Sequence, residues 1–164
     1  MTLNNIKSVQ KTVGLLLTVF SSTMLTPVVV ALIYQESTSL VFVASFLITG
    51  LFGLVLWLPA KKADTEIRLH EGFIIVASFW VVLALFGALP FFLLPELGLS
   101  ITNAVFESTS GLTTTGATIL TGLDELPRSL LFYRQQLQWL GGLGIVVLAV
   151  ALLPILGVGG MRLY

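Results

Sequence analysis

The sequence predicts an all-α membrane protein with four transmembrane helices plus one re-entrant half-length helix that leads into an extended strand. Three observations predict it. The 164-residue chain is 56% hydrophobic and only 10% charged, too little charge to cover the surface of a soluble domain of that size. Its charges are clustered, leaving residues 12–35, 37–60, 72–95 and 135–161 with none. Each window exceeds the roughly 20 residues that a helix needs to cross about 30 Å of hydrocarbon. Between the third and fourth windows lies "GLTTTGAT", residues 111–118, with four threonines, two glycines and no charge. That run is too short and too polar to span.

The first helix is expected over residues 8–34. Pro27 lies inside it and should kink it, because proline donates no backbone hydrogen bond. Ser21, Ser22, Thr23 and Thr26 are placed to bond backbone carbonyls at that kink rather than a ligand. Lys7 and Lys11 precede "VGLLLTVF" as in a secretory signal, but the apolar run continues through "VVVALIY". It is too long for a signal core and no clear small-residue cleavage site follows, so a retained helix is expected. "QESTS" makes a polar turn. The second helix covers residues 39–58 and is expected to stop at Pro59. "AKKADTEIRLHEG" is a charged linker. The third helix covers residues 72–94, with Pro90 bending its last turn, and "PELG" breaks it. The fourth covers residues 129–155 and ends near Pro154 and "GVGG".

Lys7, Lys11, Lys61, Lys62, Arg68 and Arg162 fall on one side, which the excess of basic residues assigns to the cytoplasm. Arg128 and Arg134 fall on the other and weaken the bias without reversing it. Glu36, Glu96, Glu107, Asp124 and Glu125 lie on or toward the external side, where an acidic mouth would raise the local cation concentration. For Glu36 and Glu96, ordinary solvated loop charge is the preferred reading. The net charge is zero, which suggests no nucleic-acid partner, and there is no cysteine, hence no disulfide framework or thiol chemistry. His70 is the only histidine and has no second ligand near it, so neither metal binding nor catalysis is expected there. No span holds paired aspartates, a serine–histidine set or a metal-ligand cluster, which argues against an intramembrane enzyme. Trp57, Trp80 and Trp139 serve as packing or interface anchors.

Residues 95–128 are too long for a hairpin turn and show organisation. Ser100 is a good N-cap, and Ile101, Ala104, Val105 and Ser108 follow helical spacing. At about 1.5 Å per residue this helix would be about 18 Å long, half a membrane. Gly111 is a natural stop, "TTTGAT" follows, and "TGLDELP" returns the chain outward. One re-entrant pore helix with an extended filter strand is the layout this predicts. Non-helical backbone at membrane depth is tolerated only when it is buried in protein or lines a watery cavity. A potassium ion entering a pore sheds water, and carbonyl oxygens must replace it. Gly116 reaches backbone angles closed to other residues, and Thr113, Thr114, Thr115 and Thr118 can add neutral hydroxyl oxygens. The C-terminal end of the short helix, with about half a negative charge, would stabilise a cation there. Glu107 either bonds backbone amides behind the strand or faces external water, and the first is preferred. Arg134 either pairs with Asp124, Glu125 or Glu107 or reaches interfacial water. Gly141, Gly142 and Gly144 permit close helix approach, or line the cavity below the filter. Gly157, Gly159 and Gly160 form a flexible exit. The rival reading is a non-conducting membrane anchor or assembly subunit, in which residues 100–118 form an external interaction loop.

"FESTSGLTTTGAT" and "FYRQQLQWLGGLGIVVLAVALLPILGVGGMRLY" carry a resemblance. The chain resembles the membrane subunit of Trk-type potassium uptake systems, the TrkH/TrkG group of the Trk/Ktr/HKT superfamily. The resemblance covers the whole chain and is most specific over residues 106–164. It implies potassium ion transport across the bacterial cytoplasmic (inner) membrane by a multi-pass protein embedded in lipid, without a cofactor and without enzymatic activity. Family members have four helix–pore-loop–helix repeats with pseudo-fourfold symmetry, and bacterial members carry two extra N-terminal helices. On that basis residues 1–70 are an N-terminal transmembrane hairpin with its cytoplasmic linker, and residues 71–164 are the first repeat. The ion-binding filter residues implied are Thr113, Thr114, Thr115, Gly116, Ala117 and Thr118, with potassium at Thr114, Thr115 and Gly116 and Glu107 as support. The family's filter glycine falls on Gly116. A serine there goes with sodium permeation in plant relatives, so Gly116 favours potassium. The resemblance also implies a cytoplasmic nucleotide-binding TrkA-like regulator and a homodimer. The later repeats, the family's intramembrane gate loop and its basic residue near the pore have no counterpart here. The chain is therefore expected to be the N-terminal portion of a longer subunit, supplying one of four filter strands, rather than one of four assembling copies.

Overall fold

The computed structural model describes residues 3–62 and 69–152. The first expected helix is two helices, α1 (Leu3–Thr23) and α2 (Leu25–Ile33), separated by a turn at Met24. The cause is Pro27, which lacks the N–H that would bond the Thr23 carbonyl four residues back. That carbonyl instead accepts from Nε2 of Gln136, far along the chain, at 2.8 Å. The hydroxyls of Ser21, Ser22, Thr23 and Thr26 donate to the carbonyls of Thr18, Val19, Phe20 and Thr23 at 2.6–2.7 Å, the use expected of them.

The chain turns back into α3 (Ser39–Ala60), which includes Pro59 rather than stopping at it. The helix ends one residue later, so the two boundaries differ by no more than helix ends ordinarily do. α1 and α3 pack antiparallel on small residues. A Cβ on Gly14 would come within 2.8 Å of the Gly53 carbonyl, and one on Gly53 within 2.8 Å of the Thr18 amide. Backbones approach this closely only without side chains between them. Gln10 Nε2 crosses the same seam to the Leu56 carbonyl at 2.9 Å. Lys7 and Lys11 therefore share one end of the hairpin with Lys61 and Lys62.

α4 (Leu69–Gly87) and α5 (Leu89–Leu93) are again one span broken near a proline. Pro90 is the cause, and the Gly87 carbonyl takes a hydrogen bond from the Tyr133 hydroxyl at 2.9 Å. After a short 3-10 turn comes α6 (Ile101–Leu112), then an irregular segment, then α7 (Arg128–Leu152). Among the described residues, three helical stretches are long and apolar enough to cross a membrane: Ile6–Ile33, Ser39–Ala60 and Gly72–Leu93. α7, with 25 residues, is about 37 Å long at about 1.5 Å per residue. The expected end of the fourth span at Pro154, the glycines Gly157, Gly159 and Gly160, and the basic residues Arg68 and Arg162 lie outside the described residues.

One core joins the hairpin to the rest. Leu17, Met24, Phe42, Phe91, Leu112, Leu130, Tyr133 and Leu137 are buried together. The Tyr133 ring lies 5.5 Å from the rings of both Phe42 and Phe91, a separation that favours edge-on or tilted aromatic pairing. α6 packs between α4 and α7 through glycines. A Cβ on Gly87 would meet Ser108 Oγ at 2.6 Å, one on Gly111 would meet Leu137 Cβ at 3.1 Å, and one on Gly141 would overlap the Leu112 carbonyl. Gly144 admits the Trp80 ring, 3.4 Å from where its Cβ would be. Trp139 is 64% exposed.

The N-terminus of α7 corrects the reading of Glu36 as solvated loop charge. Its Oε1 accepts from the Arg128 amide at 2.6 Å and its Oε2 from the Ser129 amide at 3.0 Å and from the Ser129 hydroxyl. It therefore caps a helix that begins 92 residues later in the chain. Buried Thr38 and Ser129 share a hydroxyl–hydroxyl bond of 2.7 Å, and the Arg128 guanidinium lies 4.8 Å from the centre of the Tyr34 ring, a cation–π contact. Partial burial raises the Glu36 pKa, but the hydrogen bonds from Ser129, Arg128 and Thr38 outweigh it and hold the carboxyl below its ordinary value of 4.5.

Gly141→Ala should cost about 3 kcal/mol of stability, because the added methyl has no space against the Leu112 backbone. Gly72→Ala, where a Cβ meets nothing within 4 Å, should cost nothing; thermal unfolding in detergent compares them. The Glu36 cap carries a pH signature. Because its folded pKa is depressed, its contribution is whole above the unfolded value and lost as pH falls through the folded one. Glu36→Gln should lower stability by about 1 kcal/mol at about pH 7. That gap should begin to narrow as pH falls below the ordinary value of 4.5 and close once pH has passed the depressed folded value, and a gap unchanged at the acid end would refute a charged cap.

Candidate functional site

α6 begins at Ser100, whose hydroxyl accepts from the Asn103 amide at 3.2 Å. Its buried face is Ala104, Glu107, Ser108, Gly111 and Leu112, a stripe at helical spacing made largely of small and polar residues. Of the four residues at helical spacing, Ala104 and Ser108 are buried, Val105 is half-buried and Ile101 is 65% exposed. The helix runs one residue past Gly111, to Leu112 with Thr113 as C-cap. Gly111 serves close approach to Leu137 rather than termination. Leu112 meets Gly141 near the middle of α7, so the helix ends about halfway along its neighbour.

Thr113 to Thr118 leave the helix through a turn and continue without regular structure. Thr114 has φ +56° and Gly116 φ +74°. Gly116 tolerates this region, as expected of glycine, but a β-branched residue there is a true outlier. The amides explain it. Thr114 donates to the Gly111 carbonyl at 3.0 Å, and Thr115 and Gly116 both donate to the Ser110 carbonyl, at 3.0 and 3.4 Å. Three successive N–H groups thus point back at α6. All peptide bonds described are trans, and in a planar trans peptide the C=O opposes the N–H. The carbonyls of Thr113, Thr114 and Thr115 are therefore directed away from α6. Those three residues and Gly116 are exposed on that side.

The next turn of chain is held differently. The Ala117 carbonyl accepts from Ser110 Oγ at 2.6 Å, so it points toward α6, unlike its neighbours. Glu107, 2% exposed, accepts on Oε1 from the Thr118 hydroxyl and from the Ile119 amide, each at 2.6 Å. The Thr118 hydroxyl also accepts from the Leu120 amide at 3.0 Å. By the same trans-peptide argument the Thr118 carbonyl faces away from α6. Arg134 pairs with Glu107 through Nε–Oε2 at 3.3 Å, which selects one of the three acids considered for it. Thr113 Oγ1 donates to the Thr109 carbonyl at 2.8 Å and lies 2.8 Å from Thr115 Oγ1.

Ser110 anchors the segment through both its carbonyl and its hydroxyl and was not singled out from the sequence. Its role depends on where the segment folds back, and no local pattern carries that. The assembled arrangement is a short row of neutral oxygens that no protein donor reaches among the described residues, backed by amides already satisfied. Such a row can take the place of water around a cation. The C-terminal end of α6, with its partial negative charge, adjoins it.

The family model TrkH, described as "Cation transport protein", matches residues 38–164. The chain is 54% identical over 158 residues to the Trk system potassium uptake protein TrkH of Escherichia coli (strain K12), covering 96% of this chain and 33% of that protein. It is 43% identical to the Trk system potassium uptake protein TrkG of the same organism, over 100% of this chain and 34% of the relative. The crystal structure of the potassium transporter TrkH from Vibrio parahaemolyticus superposes with a TM-score of 0.88 at 50% identity, covering 96% of this chain and 34% of that one. The chain thus spans about a third of the length of the curated relatives it matches. With more than half of its residues matched by that model, the chain belongs to the TrkH family of cation transport proteins.

Proposed function

We propose that this chain supplies one of four filter strands of a potassium-uptake pore in the bacterial inner membrane. The observation that carries the reading is the row of amides from Thr114, Thr115 and Gly116 turned back onto α6, with positive φ at Thr114 and Gly116. This spends the donors on the protein and leaves acceptors for an ion. Potassium sits at the Thr114, Thr115 and Gly116 level, with Thr113 and its hydroxyl on the inner side and Thr118 on the outer. Ala117, whose carbonyl is bonded to Ser110, contributes spacing rather than a ligand. α6 is a re-entrant pore helix, which its end against the middle of α7 supports, and α7 is the fourth span. Residues 1–70 form the extra hairpin and linker, and residues 71–164 the first repeat.

The exposed face of Thr113–Thr118 is where the corresponding strands of further repeats meet it around one axis. The shared basic end of α1 and α3 supports a cytoplasmic N-terminus. A TrkA-like nucleotide-binding regulator on that side and a homodimer complete the assembly. The names of the relatives, potassium uptake proteins, support potassium as the ion. Glu107 holds the outer end of the strand through Thr118 and Ile119, and its charge is matched by Arg134.

In the conducting assembly that contains this chain, Gly116→Ser should reduce the preference for potassium over sodium by about tenfold, equivalent to about 1.4 kcal/mol. A Cβ at Gly116 meets nothing within 4 Å, but φ +74° is unfavourable for serine, so the carbonyls shift. Ion flux into proteoliposomes checks this, and unchanged selectivity refutes the filter. Glu107→Ala should cost about 3 kcal/mol, since it strands the Arg134 charge. Adding Arg134→Ala should recover part of the stability but none of the selectivity.

A further inference from the structure

α7 is gripped on two faces. Toward the hairpin, Arg128 and Ser129 are capped by Glu36, Ser129 bonds Thr38, and two turns further on Gln136 bonds the Thr23 carbonyl at 2.8 Å and the Thr26 hydroxyl at 2.7 Å. Toward the pore helix, Arg134 meets Glu107 and, two turns further, Gly141 meets Leu112. Arg134 lies between the two hairpin grips in sequence. A helix pinned at Ser129 and Gln136 has both its rotation and its axial position fixed, and those two quantities decide whether Arg134 reaches Glu107. Glu107 in turn holds Thr118 and Ile119.

We propose that the amino-terminal hairpin is a positioning element for the filter: through Glu36 and Gln136 it sets α7 so that Arg134 and Glu107 hold the strand in its ion-selective geometry. This rests on the reading of Thr113–Thr118 as a filter. Glu36 and Gln136 touch no ion. They act through α7, and their removal alters selectivity rather than only the amount of folded protein. Proline is part of the device, because Pro27 is what leaves the Thr23 carbonyl open to Gln136.

The test is a double-variant cycle on the conducting assembly in proteoliposomes, reading the potassium-over-sodium flux ratio per inserted protein. Glu36→Ala should lower that ratio by about threefold or more, and Glu36→Asp, which keeps the carboxylate, should restore part of it. On an Arg134→Lys background, where the relay is already loosened, Glu36→Ala should add nothing further. Hydrogen exchange at residues 128–130 verifies that the cap has opened. An opened cap with an unchanged ratio overturns the proposal, and so do effects that multiply independently. If Glu36→Ala does not insert, Glu36→Gln, which keeps the size and loses the charge, is judged by the same criteria. Gly116→Ser in the same preparation separates the two ideas. If it shifts selectivity and Glu36→Ala does not, only the positioning role falls; if Gly116→Ser is silent, the filter reading falls and takes this one with it.

Discussion

Backbone polar groups inside an apolar layer must find partners within the protein, and this fold is arranged around the places where its helices stop satisfying that demand. An unbroken helix closes its own ladder; a break frees carbonyls and amides that water cannot reach. Among the described residues, three breaks occur along the apolar stretches: at Met24, at Ala88 and after Leu112. At each, a side chain from elsewhere answers the exposed group. Gln136 takes the Thr23 carbonyl, Tyr133 the Gly87 carbonyl, and Ser110 and Glu107 the strand that follows α6.

Two of those three answers come from α7, which is why a helix with a polar first half belongs among apolar ones. Its Gln136 and Tyr133 are committed to backbone carbonyls of neighbouring helices and its Arg134 to a buried carboxylate. Its own first amides, which no helix can satisfy internally, are capped by Glu36. The helix is therefore positioned by directional bonds as well as by packing. The glycines complete the arrangement. Gly141 lets the α6 backbone lie directly on α7, and Gly14 and Gly53 do the same for the hairpin.

The segment from Thr113 to Thr118 is held by bonds of the same kind. A threonine held at positive φ costs on the order of 1–3 kcal/mol. Each hydrogen bond that fixes the segment returns about 1 kcal/mol. The bonds from Thr114, Thr115 and Gly116 to α6, with those to Ser110 Oγ and Glu107, are enough to keep it. The result is a backbone whose donors are consumed on one side and whose acceptors stand free on the other. Extended β-strand does not give this polarity, since its carbonyls alternate from side to side.

The amino-acid sequence by itself determined what depends on neighbours in the chain. Charge-free windows placed the apolar helices, Pro27 and Pro90 marked their breaks, Ser100 marked the start of α6, and the polar run after Leu112 marked a segment that could not be ordinary span. Tertiary structure decided everything that depends on partners distant in sequence. Glu36 looked like loop charge because the amides it caps lie 92 and 93 residues away. Gly111 looked like a helix stop because Leu137, which needs its missing Cβ, is invisible locally. No local pattern marks Ser110, and nothing in "TTTGAT" announces that Thr114 takes a left-handed turn. Hydropathy and proline chemistry act within a few residues and can be read off a string. The direction of a carbonyl, and the carboxylate that an arginine finds, are fixed only when separate helices come to rest against one another.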